Sequence, residues 1–340
     1  NMIKKIIFIF LFMLVLCGFN NETGKAGVNY NARVNYKNVM KLLNKYDQDG
    51  AYMVRFSKQK GDDVMNWFDK GEPILDGLDT AVHEECHYFT NNNYTGSYYN
   101  LWYSFYRGSG NPLIVSYNRN NVYDSIEMKS IIPSSARTFR FNTYIGAPKA
   151  NLASNVCGLY GIMNEFNAYM WGMNNNVKFY NYYVSQNRNY SPGKVYNQIS
   201  NQWFKFANNG ASNRLAYYEF KYYALTYMIY AKKHYPKVYS YIMNDKKIRR
   251  AYKLVERKYK GLVKEYESQL NSALNLLNQT GYYAYIKKNK GDKYFFVGYH
   301  LSSNMGYKSK GTAIFYTECR QLKKQLRKSK YKRMHRILTY

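Results

Sequence analysis

The sequence predicts an α+β protein that is mostly helical, with a small antiparallel sheet inserted between two helices and a helical C-terminal lobe. Three observations predict it. Apolar residues recur at three- and four-residue spacing over most of the chain. A stretch from Tyr94 to Ile145, patterned like strands around a Gly-rich turn, interrupts that rhythm. Hydrophobic residues make up 46% of the 340 residues, which allows a sizeable core and argues against global disorder.

In chain order, Asn20 to Arg33 is polar and Gly/Asn-rich and reads as a spacer. Val39, Leu42, Leu43 and Tyr46 predict a helix that ends at Asp47–Gly50, and Val64, Trp67 and Phe68 a second, short one. A third helix begins around Leu75–Asp79, with Leu78, Val82, Cys86 and Phe89 along one apolar face. Asn100–Tyr106 and Leu113–Tyr117 read as strands joined by the turn Gly108-Ser109-Gly110-Asn111-Pro112, and Arg137–Tyr144 as a further strand. From Lys149 the chain turns helical, with Leu152, Val156, Leu159, Tyr160, Met163, Phe166 and Met170 in one stripe. Helices follow at Val195–Ala207, Arg214–Lys233 and Lys246–Leu277. Gly281–Tyr299 is a β excursion or loop, and Thr312–Leu338 a last helix.

The chain carries 50 basic and 21 acidic residues, a formal charge of +29. Such a charge bears on partners rather than on fold, and suits anionic envelope polymers or membrane surfaces. Lys4 and Lys5 precede an apolar run from Ile6 to Leu16. This is the form of an export signal, and shorter than the roughly 18 apolar residues of a membrane span. Two processing sites compete: Leu14-Val15-Leu16-Cys17, where Cys17 would be lipidated, and Gly24-Lys25-Ala26. Either way the protein is expected to be secreted or held at the cell surface. Beyond Cys17, the cysteines Cys86, Cys157 and Cys319 are too few and too odd in number for a disulfide scaffold. Cys86–Cys157 is one conceivable bridge, and buried free thiols are the alternative.

The segment His83-Glu84-Glu85-Cys86-His87 carries the chemistry. Two histidines four apart on a helix project the same way, so both imidazoles reach one metal ion. A glutamate directly after the first histidine sits beside the metal, where it can take a proton from a water held there and pass it to a leaving amine. With only five histidines in the chain, the pattern is a specific one. A catalytic zinc needs a third protein ligand. His234, His300 and His335 have no helical motif around them. Glu165, in Gly161-Ile162-Met163-Asn164-Glu165-Phe166, is a charge inside an otherwise apolar helix and calls for a cation or a hydrogen-bonding cage.

These two segments resemble the gluzincins, the thermolysin-like zinc metallopeptidases, in which H-E-x-x-H is followed on a second helix by a glutamate ligand, often within G-x-x-N-E. Gly161, Asn164 and Glu165 match those positions. The resemblance covers about a tenth of the chain. It implies Zn2+ held by His83, His87 and Glu165, with Glu84 as general base. Two departures stand out. The stretch from His87 to Glu165 is far longer than in the thermolysin-like pattern, so the sheet is an insertion or the chain a distinct branch. Tyr169 also stands where those enzymes place an aspartate that orients a histidine ligand, with Asp79 as a weak substitute. Tyr160, Tyr169 and His300 are candidate donors to a developing oxyanion.

The chain thus divides into 1–26, a signal peptide or lipoprotein signal; 27–175, a zinc-binding catalytic region with a small sheet; and 176–340, a helical lobe with a basic tail. In that tail Arg320, Lys323, Lys324, Arg327, Lys328, Lys330, Lys332, Arg333 and Arg336 crowd one helix suited to an anionic polymer or membrane surface. P-loop, dinucleotide and zinc-finger patterns are absent, and no nucleic-acid partner is expected. The leading expectation is a metalloendopeptidase acting on protein or peptide. The alternatives are a non-enzymatic envelope-binding protein with a structural or vestigial metal site, and a zinc amidase of peptidoglycan cross-bridges.

Overall fold

The computed structural model of the chain describes residues 33–93, 100–147, 152–188, 196–300 and 306–340. The export signal and Cys17 lie outside the described residues.

The side chain of Asn35 accepts from the Asn38 amide and opens helix α1, Tyr36–Tyr46. Asp47 then caps α2, Gln48–Gln59, accepting from the Gly50 amide. The polar break at Asp47–Gly50 therefore starts a second helix as well as ending the first. Stop and start signals use the same residue types, so one polar tetrapeptide serves both helices. The expected second, short helix is present as a 3₁₀ helix, Val64–Trp67. Helix α3, Ile74–Asn92, buries Leu78, Val82, Cys86 and Phe89, the predicted face.

Strands β1, Asn100–Tyr106, and β2, Pro112–Asn118, form the expected antiparallel hairpin, with Tyr106 opposite Pro112. Its turn holds Gly108, Ser109 and Gly110 at positive φ. Arg137–Tyr144 is not a strand. Its alternation of polar and aromatic residues mimics one, but the segment leaves a 3₁₀ turn at Ser134–Ala136 and runs into a π turn at Asn142–Gly146. Long-range bonds of Arg140, described below, decide its path.

A short helix α4, Ala153–Val156, leads into α5, Gly158–Arg188, which is buried on nearly every side and runs through the core. Helix α6, Tyr196–His234, is continuous where two helices were expected. Asn208-Asn209-Gly210 reads as a break, yet a Cβ at Gly210 would lie 2.1 Å from the Tyr266 ring, so the glycine serves close helix packing. Helices α7, Pro236–Asn244, and α8, Lys246–Gln279, follow. A second antiparallel sheet orders β3, Tyr282–Asn289, β4, Asp292–His300, and β5, Tyr307–Ala313. The third of these strands occupies the start of the expected last helix. The remainder of that helix is two, α9, Tyr316–Leu326, and α10, Ser329–Thr339, because Lys328 between them is extended.

The fold is thus α+β and mostly helical. Cys86, Cys157 and Cys319 are buried free thiols, so the conceivable Cys86–Cys157 bridge is not formed. Among the described residues, no helix is long and apolar enough to cross a membrane.

Candidate metal centre

Helices α3 and α5 face each other, and the sequence allows them to come close. A Cβ at Gly172 of α5 would meet the Asp79 carbonyl oxygen at 3.2 Å and His83 Cβ at 3.6 Å. Gly161 has a different task. A Cβ there would lie 1.8 Å from the Ala153 carbonyl, so this glycine permits the tight α4–α5 junction and has no part in ligation.

His83 and His87, one turn apart on α3, point at Glu165 of α5. His83 Nε2 and His87 Nε2 are 3.1 Å apart. Glu165 Oε2 lies 3.3 Å from His87 Nε2 and 3.8 Å from His83 Nε2. These separations match those between ligand atoms sharing one ion at bond lengths of about 2.0–2.2 Å. His83 and Glu165 are each 8% exposed. Glu165 Oε2 is buried without a hydrogen-bond partner of good geometry. Two imidazole nitrogens and a carboxylate oxygen, turned on one another in a dry setting, form a group that could hold a metal ion.

The protonation tendencies suit that role. Burial, then the positive charges of His87 and Arg140, holds His83 well below the usual histidine range, so it is neutral and keeps a lone pair. Burial would lower His87 too, but the charge and hydrogen bond of Glu165, then Glu84 and Asn164, push it up to about 9. The field that favours a proton there favours a metal cation equally. Burial drives Glu85, on the far side of α3, up to about 8.

Asn164 supplies the orienting contact. Its Oδ1 lies 3.0 Å from His87 Nδ1 and accepts from it, which leaves Nε2 facing His83 and Glu165. The residue stood inside the quoted motif, one position before Glu165, but its sequence signal gave it no task. Asp79 does not orient a histidine: it accepts from Asn209 and Asn213 at 3.0 and 3.1 Å, tying α3 to α6.

The three expected oxyanion donors separate. Tyr169 is at the site, its ring centroid 4.3 Å from that of His83. Tyr160 is committed elsewhere, its hydroxyl donating to Asp245 at 3.0 Å. His300 is exposed at the end of β4, with its ring beside Tyr283. Sequence reading missed a neighbouring network. Arg140 Nε donates to the Tyr169 hydroxyl at 3.1 Å, which bonds that of Tyr144 at 2.9 Å. Arg140 also donates to Glu219 at 2.9 Å and to Ser212 at 2.7 Å, and Thr138 donates to the other Glu219 oxygen. Burial and then the Glu165 charge raise Tyr144 well above the usual tyrosine range, so its proton stays on. Tyr144 belongs to the π turn, a rare form that recurs at functional sites. Glu84 is half-buried beside the triad.

No protein family, no curated protein and no solved structure matches this chain.

Proposed function

We propose that the protein is an exported zinc metallopeptidase whose metal is held by His83, His87 and Glu165. The observation that carries this reading is the convergence of the three donor atoms within 4.8 Å of one another on facing helices. Two imidazoles and one carboxylate are also the ligand set of many catalytic zinc sites, which leave a fourth position open. Zinc bound there supplies a Lewis acid and lowers the pKa of water. Glu84, next to His83 and half-buried, takes the proton of the attacking water and returns it to the departing amine. Arg140 fixes the Tyr169 hydroxyl, and Tyr144 at the end of that relay donates to the oxyanion. The β1–β2 hairpin, packed against α3, gives an extended peptide a strand to pair with. Export rests on Lys4, Lys5 and the apolar run behind them.

The test is reconstitution with zinc after chelation, followed by digestion of a peptide library. Glu84→Gln is expected to retain one zinc per chain while cleavage falls on the order of 10²–10⁴-fold. A wild-type protein that neither holds zinc nor cleaves any peptide would sink the reading. The burial of His83 and Glu165 favours a second one, a structural metal site. Under it, wild type and Glu84→Gln both hold zinc and neither cleaves.

A further inference from the structure

Helix α8 displays cations in a single line. Lys246, Arg250, Lys253, Arg257, Lys260 and Lys264 follow at spacings of four, three, four, three and four, and all six are exposed. At 100° per residue these positions stay on one narrow face, and the line runs about 27 Å along the helix axis. The opposite face is the buried one, with Ile248, Tyr252, Val255, Tyr259, Leu262 and Tyr266.

None of the six forms an ion pair with a described residue. The nearby acids are spent elsewhere. Asp245 caps the helix, Glu256 turns inward to Lys221 at 2.6 Å, Glu267 pairs with Arg214 at 3.3 Å, and exposed Glu265, off the line, accepts from Gln269 at 3.4 Å. Like charges at these spacings disfavour a helix, so the line is a cost that an anionic partner would remove. Helix α10 lies alongside, with His335 Nδ1 2.9 Å from the Tyr252 hydroxyl, and adds exposed Lys332, Arg333 and Arg336.

We propose that this face of α8 is a track for a linear acidic glycan. A single row of charges, one for about every 5 Å of helix, matches an extended chain with one charge per sugar ring. A membrane would call for exposed apolar side chains to insert, and single-stranded nucleic acid for exposed aromatic rings to stack on. The exposed large hydrophobic residues, Tyr52, Phe139, Tyr285, Tyr307, Tyr316 and Tyr340, all lie off this helix. The track is independent of the metal site and of any hydrolysis.

The test uses the full chain and fluorescent alginate fragments, which carry one carboxylate on each ring, with binding measured over a salt series. The triple variant Lys253→Glu, Arg257→Glu, Lys260→Glu is expected to weaken binding at least tenfold and to lower the salt slope by about three charges. The neutral triple Lys253→Gln, Arg257→Gln, Lys260→Gln should lie between it and wild type. Control reversals on α9 and its end, Lys324→Glu, Arg327→Glu, Lys328→Glu, should change binding less than threefold. Circular dichroism confirms that each variant is folded. Equal losses in the α8 and α9 sets overturn the proposal, because binding then follows bulk charge alone. Tighter binding of a single-stranded oligonucleotide or of phosphatidylglycerol vesicles than of alginate overturns the choice of partner.

Discussion

Two charged clusters lie in the interior and meet at Tyr169. The cluster of Arg140, Glu219, Thr138 and Ser212 is closed: Arg140 donates to Glu219, Ser212 and Tyr169, and both Glu219 oxygens accept. The cluster of His83, His87 and Glu165 is open. Its two Nε2 atoms face each other at 3.1 Å, and Glu165 Oε2 is buried 3.3 Å from His87 Nε2. Both sit in the same apolar surroundings, so desolvation weighs on both. The closed one answers with internal pairing. The open one brings two imidazole nitrogens and a carboxylate oxygen to a common point, where a cation could take the place of a proton.

The largest expected effect tests the closed cluster. Arg140→Leu strands the Glu219 charge in the core and should cost about 3–5 kcal/mol in urea unfolding. A loss below 1 kcal/mol would mean that Glu219 finds water or another donor, and the contrast between the clusters collapses. The open cluster should respond to metal instead. At zinc a hundredfold above its dissociation constant, wild type should gain about 2.7 kcal/mol of stability, and Glu165→Gln almost none. An equal gain in both proteins places the zinc elsewhere. The smallest effect concerns orientation. Asn164→Ala should weaken zinc binding about 10–100-fold with little change in metal-free stability, read by competition with a chromophoric chelator. Unchanged affinity would show that His87 is held by packing alone.

The legible parts of the molecule were those governed by neighbours in sequence. The apolar face of α3, the β1–β2 hairpin and its glycine turn, and the placement of His83 and His87 on one helix face all follow from local spacing. So does the amphipathic run of α8. The parts that escaped depend on distant partners. Arg140 bonds Glu219 far along the chain, and nothing near Arg137–Tyr144 announces that, so the segment looked like a strand. Gly210 looked like a helix break because the tyrosine ring that packs on it is contributed by α8. Glu165 was legible as a charge in an apolar stripe. The commitment of Tyr160 to Asp245 was not, because Asp245 belongs to the α8 cap.

The hydrogen atom that Gly172 carries in place of a side chain has a consequence for spacing. The gap between α3 and α5 at that point leaves a Cβ only 3.2 Å from a backbone oxygen and 3.6 Å from the Cβ of His83. Backbone contact rather than rotamer choice therefore sets how far apart the histidine helix and the glutamate helix stand. The pair acts as a calliper with a fixed jaw, and the spacing that an ion would meet there is set by the backbone before any side chain moves.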